Sequence, residues 1–244
     1  MEKRERKIDW NKIALFLKIG ILGAFVILAG DLLMGWGVKD TSISGIEGQL
    51  SPYLTISDHR MFLASFFGLT GVPMAVVGHY GIYKLLKPYS QKYARLYGIG
   101  NVGFLIFGGA GVHVSSVEAA FFYKYMTKSS PDTVLGSTVK FALYFLLPLS
   151  VILITCWLLM IYAHIRAVLG GCSPYPRWCA VFSMLAGTLL FSMIGLFGNH
   201  KIVNALMVGA FSLGNIWTLS GHLLMLRKAR ENVKEESRWM HGKE

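Results

Sequence analysis

The chain reads as an all-α protein of the membrane, a polytopic bundle of six transmembrane helices with both termini cytoplasmic. Three observations predict this. Six stretches are long and apolar, 54% of residues are hydrophobic against 15% charged, and basic residues gather on alternate connections. The stretches are approximately Ile13–Trp36, His59–Leu85, Leu96–Phe121, Phe141–Ile165, Ala180–Phe197 and Ile202–Leu226. Each meets or approaches the ~20 apolar residues that a helix needs to cross a hydrocarbon core of about 30 Å. Strands are the poorer reading, because polar and apolar residues do not alternate and an open sheet edge in lipid would leave backbone groups unpaired.

In chain order, the first stretch is too long for a secretory signal and no small-residue cleavage site follows it cleanly, so it is expected to remain as a span. Gly37–Asp58 has the Gly, Ser and Pro content of a loop, with Ile43–Leu54 able to lie along the membrane surface. Pro73 and Pro148 predict kinks in the second and fourth spans. The third span carries Gly98, Gly100, Gly103, Gly108, Gly109 and Gly111, small residues that let helices approach closely in a membrane. A second loop is expected over about Tyr123–Lys140, with Ser129, Ser130 and Pro131 as turn chemistry. Only Gly198-Asn199-His200-Lys201 separates the last two spans, which makes them a tight antiparallel hairpin. One transmembrane domain thus takes up residues 1–244, with no length left for a soluble catalytic module.

The net charge of +11 is distributed by membrane side. Seventeen Lys and Arg precede the first span, follow the sixth, or lie between spans two and three or four and five; six lie on the opposite face. That is the positive-inside pattern, and adding or removing a span would scatter it. The basic segments suit anionic lipid headgroups. No nucleic-acid recognition fold accompanies them, so nucleic acid is not an expected partner. Cys156, Cys172 and Cys179 are not spaced as a zinc site and are expected to form no disulfide.

Ionisable groups at membrane depth are costly unless paired or hydrated, so they should face the bundle interior. Asp31 and Glu118 are the only acids inside the six stretches. With His113, Ser115, Asn204 and His200 they are expected to border one outward-opening pocket, with Asp58 and His59 at its rim. At 100° per residue, Asn101, Phe104, Gly108, Gly111 and Ser115 share a face of the third span, Glu118 lies at its edge and His113 points well away. Asn204, Asn215, Thr218 and His222 fall within about 40° of one line down the last span, a polar stripe suited either to hydrogen bonds between helices or to a ligand route. The ligand-binding set is therefore Asp31, His113, Ser115, Glu118, Asn204, Asn215, Thr218 and His222, with Asp31 also open to a packing role.

The leading function is binding or transport of a small amphiphilic or cationic molecule, a lipid included. The alternatives are a membrane-embedded lipid-modifying enzyme, with or without a metal, using His113 or His200 with Glu118; a b-type haem protein using His79, His164 and His222; and a structural subunit. No metal ligand set is assigned, because no His-x-x-x-His or His-Glu-x-x-His pair is present. Gly98-Ile99-Gly100-Asn101-Val102-Gly103 matches a dinucleotide-binding pattern, but it lies inside a span with no strand before it, so helix packing explains it. No cofactor is assigned, and self-association into a homo-oligomer stays open.

The run Ala29-Gly30-Asp31-Leu32-Leu33, the polar segment after it and the Gly-rich third span ending in His113 and Glu118 resemble an uncharacterised family of small bacterial integral membrane proteins. The resemblance implies a bundle of about six helices in the cell membrane and importance for Asp31 and His113. It implies no reaction.

Overall fold

A computed structural model describes residues 8–198 and 200–241; Asn199 and the charged residues Lys3, Arg4, Arg6, Lys7 and Lys243 lie outside them. Every regular element among the described residues is helical. Helix α1, Trp10–Gly35, opens with Asp9 accepting a hydrogen bond from the Lys12 amide at 3.0 Å, which satisfies one of the donors left over at a helix start. The segment between the first two long helices holds a short α2, Gly45–Leu50, and a 3₁₀ turn, Ser51–Thr55. It is tied together by Val38 donating to Thr55 Oγ1 and Asp40 donating to Ser51 Oγ. Helix α3, Asp58–Leu86, is capped by Ser57 and runs unbroken through Pro73.

The third long rod is α4, Gln91–Phe107, a π-helical segment at Gly108–His113, and α5, Val114–Ser129. The fourth is α6, Pro131–Phe141, a π segment at Ala142–Leu146, and α7, Leu147–Leu169. Each rod has 39 residues, or roughly 58 Å of helix, far more than a hydrocarbon core requires. The loop expected over Tyr123–Lys140 is instead a sharp corner at Ser130 between helical arms, because Pro131 occupies the first turn of α6, where its missing N–H costs nothing. Asp58 fastens the start of α3 to this projection. Its carboxylate takes hydrogen bonds from Lys124 Nζ at 2.8 Å and Tyr125 OH at 2.5 Å.

After a 3₁₀ turn at Arg177–Phe182, helix α8, Met184–Ser192, and a further 3₁₀ turn, Met193–Phe197, run alongside α9, Lys201–Val208, and α10, Ala210–Leu224. This is the expected hairpin, but its second arm is bent by 62° at Gly209. Helix α11, Leu226–His241, completes the described chain.

Four helices are long and apolar enough to cross a membrane, and the bent α9–α10 pair is a fifth if taken as one span. Met184–Phe197 is apolar but shorter. The tightest pairing is α1 on α3, where a Cβ on Gly20 would collide with the Gly78 backbone and one on Gly23 with Ala75 and Met74. The α4–α5 rod and α10 flank this pair, and α7 lies outermost against α4.

Candidate functional site

A cavity of about 440 Å³ opens in the bundle where α1, the third rod, α7 and α10 meet near Asp31. Its walls are mostly apolar, formed by residues such as Ile27, Val72, Phe104, Leu153 and Trp157, and Tyr53 of the Ser51–Thr55 turn also borders it. The Trp157 and Phe211 rings meet edge to face at 5.0 Å. Ile154, Val208 and Phe211, also in the lining, are 49%, 48% and 54% exposed, so α7 and the α9–α10 bend give the cavity an apolar flank. Polar groups concentrate at Asp31, His113, Ser212 and Asn215.

Asp31 and His113 have side chains only 13% and 14% exposed, and Asp31 Oδ1 lies 3.6 Å from His113 Nδ1. The other carboxylate oxygen accepts a hydrogen bond from Ser212 Oγ at 2.5 Å. His113 Nε2 sits 3.0 Å from the Ala64 carbonyl oxygen. A carbonyl only accepts, so Nε2 carries hydrogen and, in a neutral ring, Nδ1 turns its lone pair toward Asp31. A bare carboxylate facing that lone pair is disfavoured, and a proton carried by either partner relieves the repulsion.

Two backbone irregularities build this arrangement. The π segment ending at His113 alters the angular step of the helix, and the imidazole seats on α3 where Gly68 offers no side chain; a Cβ there would run into the ring. The bend at Gly209 brings the first turn of α10 against α1, and a Cβ on Gly209 would lie 2.5 Å from Leu28 Cδ1 and 3.7 Å from Asp31 Cβ. Ser212 is the third residue of α10, so Asp31 meets the amino-terminal end of a broken helix, where the dipole favours negative charge.

Of the residues singled out from sequence, Asp31, His113 and Asn215 line the cavity together. Ser115 is buried outside its lining. Glu118 is exposed on α5 and does not reach it, so the two acids do not share a hollow. Asn204 is half-buried on α9, turned out of the stripe by the bend. Thr218 and His222 are buried below the cavity and spend their polar atoms within α10, Thr218 Oγ1 on the Gly214 carbonyl at 2.9 Å and His222 Nδ1 on the Thr218 carbonyl at 2.7 Å. Asp58 is held by Lys124 and Tyr125, and His200 is exposed at the start of α9. Ser212, Ser116, Ser150 and Trp157 were not anticipated; at 100° per residue Ser212 lies roughly 85° away from the line of the α10 stripe, so the spacing did not mark it.

Beneath the cavity floor a second polar group is sealed inside the bundle. His79 is fully buried, with Nε2 donating to Asn215 Oδ1 and Nδ1 accepting from Tyr97 OH, both at 2.8 Å. The His164 and His222 rings lie against each other, tilted by 55° with centroids 4.8 Å apart, and Tyr175 meets His222 edge to face at 4.9 Å. Rings so close leave no space for a porphyrin between them, and both nitrogens of His79 are taken. The Cys179 thiol, at the neighbouring turn, is pushed up to about 11 by burial and stays protonated and unreactive at neutral pH.

A family model matches residues 1–229, described as a family of unknown function, DUF6796. The chain belongs to this family. Nothing among curated proteins or solved structures matches it. Membership in DUF6796 supports the expectation of an uncharacterised family and brings no activity with it.

Proposed function

We propose that the chain is a six-span protein of the cell membrane, both termini cytoplasmic, whose cavity binds or moves a small amphiphilic cation. The observation that carries this reading is Asp31, a largely buried acid at the polar end of an otherwise apolar chamber. An apolar tail matches the walls and a positive head matches the carboxylate. The exposed flank between α7 and α10 gives such a molecule a path from the acyl chains as well as from the outer segment bearing Tyr53. Charge asymmetry supports the orientation, with Met184–Phe197 as the shortest of the six spans.

The enzyme reading is less well served. Ser212 bonds the carboxylate and not the imidazole, so it is not arranged as a histidine-activated nucleophile, and Glu118, the acid of that reading, is exposed on α5 outside the cavity lining. Among the described residues no three His, Cys, Asp or Glu side chains stand close enough to hold a metal.

Trp157 supplies a readout, since it lines the cavity. Octylammonium is expected to quench its fluorescence saturably, and Asp31→Asn to weaken that binding by at least tenfold, about 1.4 kcal/mol. Unchanged affinity in a folded Asp31→Asn variant would remove the proposal.

A further inference from the structure

The Asp31 and His113 pair has a geometry that identifies what competes for it. Ala64 holds the Nε2 hydrogen of His113, so the atom turned toward Asp31 is an acceptor, and Asp31 Oδ1 opposite is an acceptor too. Two acceptors 3.6 Å apart are too far for a direct hydrogen bond, but a proton on either one relieves their repulsion, and a single nitrogen can donate to both from about 2.8 Å. An ammonium group carrying N–H bonds meets that requirement. A quaternary ammonium has the charge and no hydrogen to donate.

We propose that a protonated primary amine with an apolar tail occupies this site by exchanging for the one proton that the Asp31 and His113 pair carries, its ammonium nitrogen donating to Asp31 Oδ1 and His113 Nδ1 at once. The charge balances. The pair carrying one proton is neutral overall, and so is the deprotonated pair with one ammonium ion; the displaced proton passes to water. Ser212 keeps its hydrogen bond to Asp31 Oδ2 in both states, which holds the carboxylate in place during the exchange.

The surroundings leave the pair as the group that titrates. Toward it α3 presents the Ala64 carbonyl, the Ser51–Thr55 turn presents Tyr53, α5 presents Ser116, α7 presents Ser150, and α10 presents Ser212 and Asn215. Tyr53 is the other titratable side chain in the lining, and burial raises its hydroxyl above the ordinary tyrosine range, so it stays neutral through the physiological window. Arg60, toward the end of α1, is engaged by the Leu33 carbonyl at 2.5 Å. Glu118 is exposed on α5 and outside the lining.

The inference rests on the cation-binding reading of the cavity, and calorimetry of the full chain separates the two. Octylammonium is titrated in two buffers of different ionisation heat, well below the ~10.4 at which an alkylamine loses its charge. The expected result is release of about one proton per amine bound, with affinity rising tenfold per pH unit while the pair is protonated and levelling above that range. The sign follows from competition, since lower pH refills the pair and expels the amine. Octyltrimethylammonium is expected to bind at least tenfold more weakly. Binding with no proton release overturns the exchange and leaves the cation site standing, equal binding of the quaternary ion overturns the two-point bridge, and no binding of either ion removes the cavity reading and this inference together. The proton count needs only the wild-type chain, so it holds even if Asp31→Asn fails to fold.

Discussion

At the scale of single residues, buried polar groups with partners differ in kind from those without. His79 is saturated by Asn215 and Tyr97, which fixes it as a neutral clasp between α3, α4 and α10. His164, 3% exposed, has no hydrogen-bond partner on either ring nitrogen. A buried polar group left unpaired forfeits its bonds to water, a cost of about 1–3 kcal/mol. Replacing it with an apolar side chain of similar size removes that cost. His164→Met is therefore expected to leave thermal stability within about 1 kcal/mol of wild type or to raise it, whereas His79→Met should lower it by about 1–3 kcal/mol, because Asn215 and Tyr97 would lose their partner. Melting temperatures of the purified variants decide this, and a His164→Met protein as unstable as His79→Met would show that His164 has a role beyond packing. Asp31 was legible from sequence because an acid within an apolar run has few places to go. Glu118 met the same criterion and is exposed, because the rods outrun the hydrocarbon thickness and an acid near their far end has water within reach.

At the scale of elements, irregularities position the site. A regular helix through residues 96–121 turns His113 away from the bundle face that holds Asn101, Phe104 and Ser115. The π segment at Gly108–His113 changes that step, and the imidazole lands on Gly68 beside Asp31. Removing one residue from the segment should restore an α pitch and rotate everything on one side of it by about 100° relative to the other. Deletion of Ala110, an exposed position, is expected to abolish octylammonium quenching of Trp157 while helical content by circular dichroism stays at the wild-type level. Retained quenching would show that the π segment does not set the site. The bend at Gly209 acts in the same way on α10. An unbroken last span would keep Asn204, Asn215, Thr218 and His222 in one stripe; the 62° break removes Asn204 and delivers Ser212 to Asp31 instead.

At the scale of the whole molecule, the thickness of the bilayer and the sidedness of charge make the topology testable. Cysteines placed at Lys87 and Arg227 in a chain lacking Cys156, Cys172 and Cys179 are expected to resist a membrane-impermeant maleimide in intact cells and to react after lysis. One placed at Ser42 should react in both. Labelling of Arg227 from outside with Lys87 still protected would mean an odd number of spans, and labelling of both from outside would reverse the assigned sidedness. What the sequence determined by itself was the helical class, the presence of segments apolar enough to cross a membrane, and Asp31 as an acid within one of them, because hydrophobic length and the cost of charge in lipid are local quantities that each segment carries alone. What only the tertiary structure decided was the company Asp31 keeps. His113 and Ser212 reach it through a π segment and a bend at Gly209, and Glu118 stays outside, because departures from helical period depend on how neighbouring helices pack and not on the run of residues within one of them.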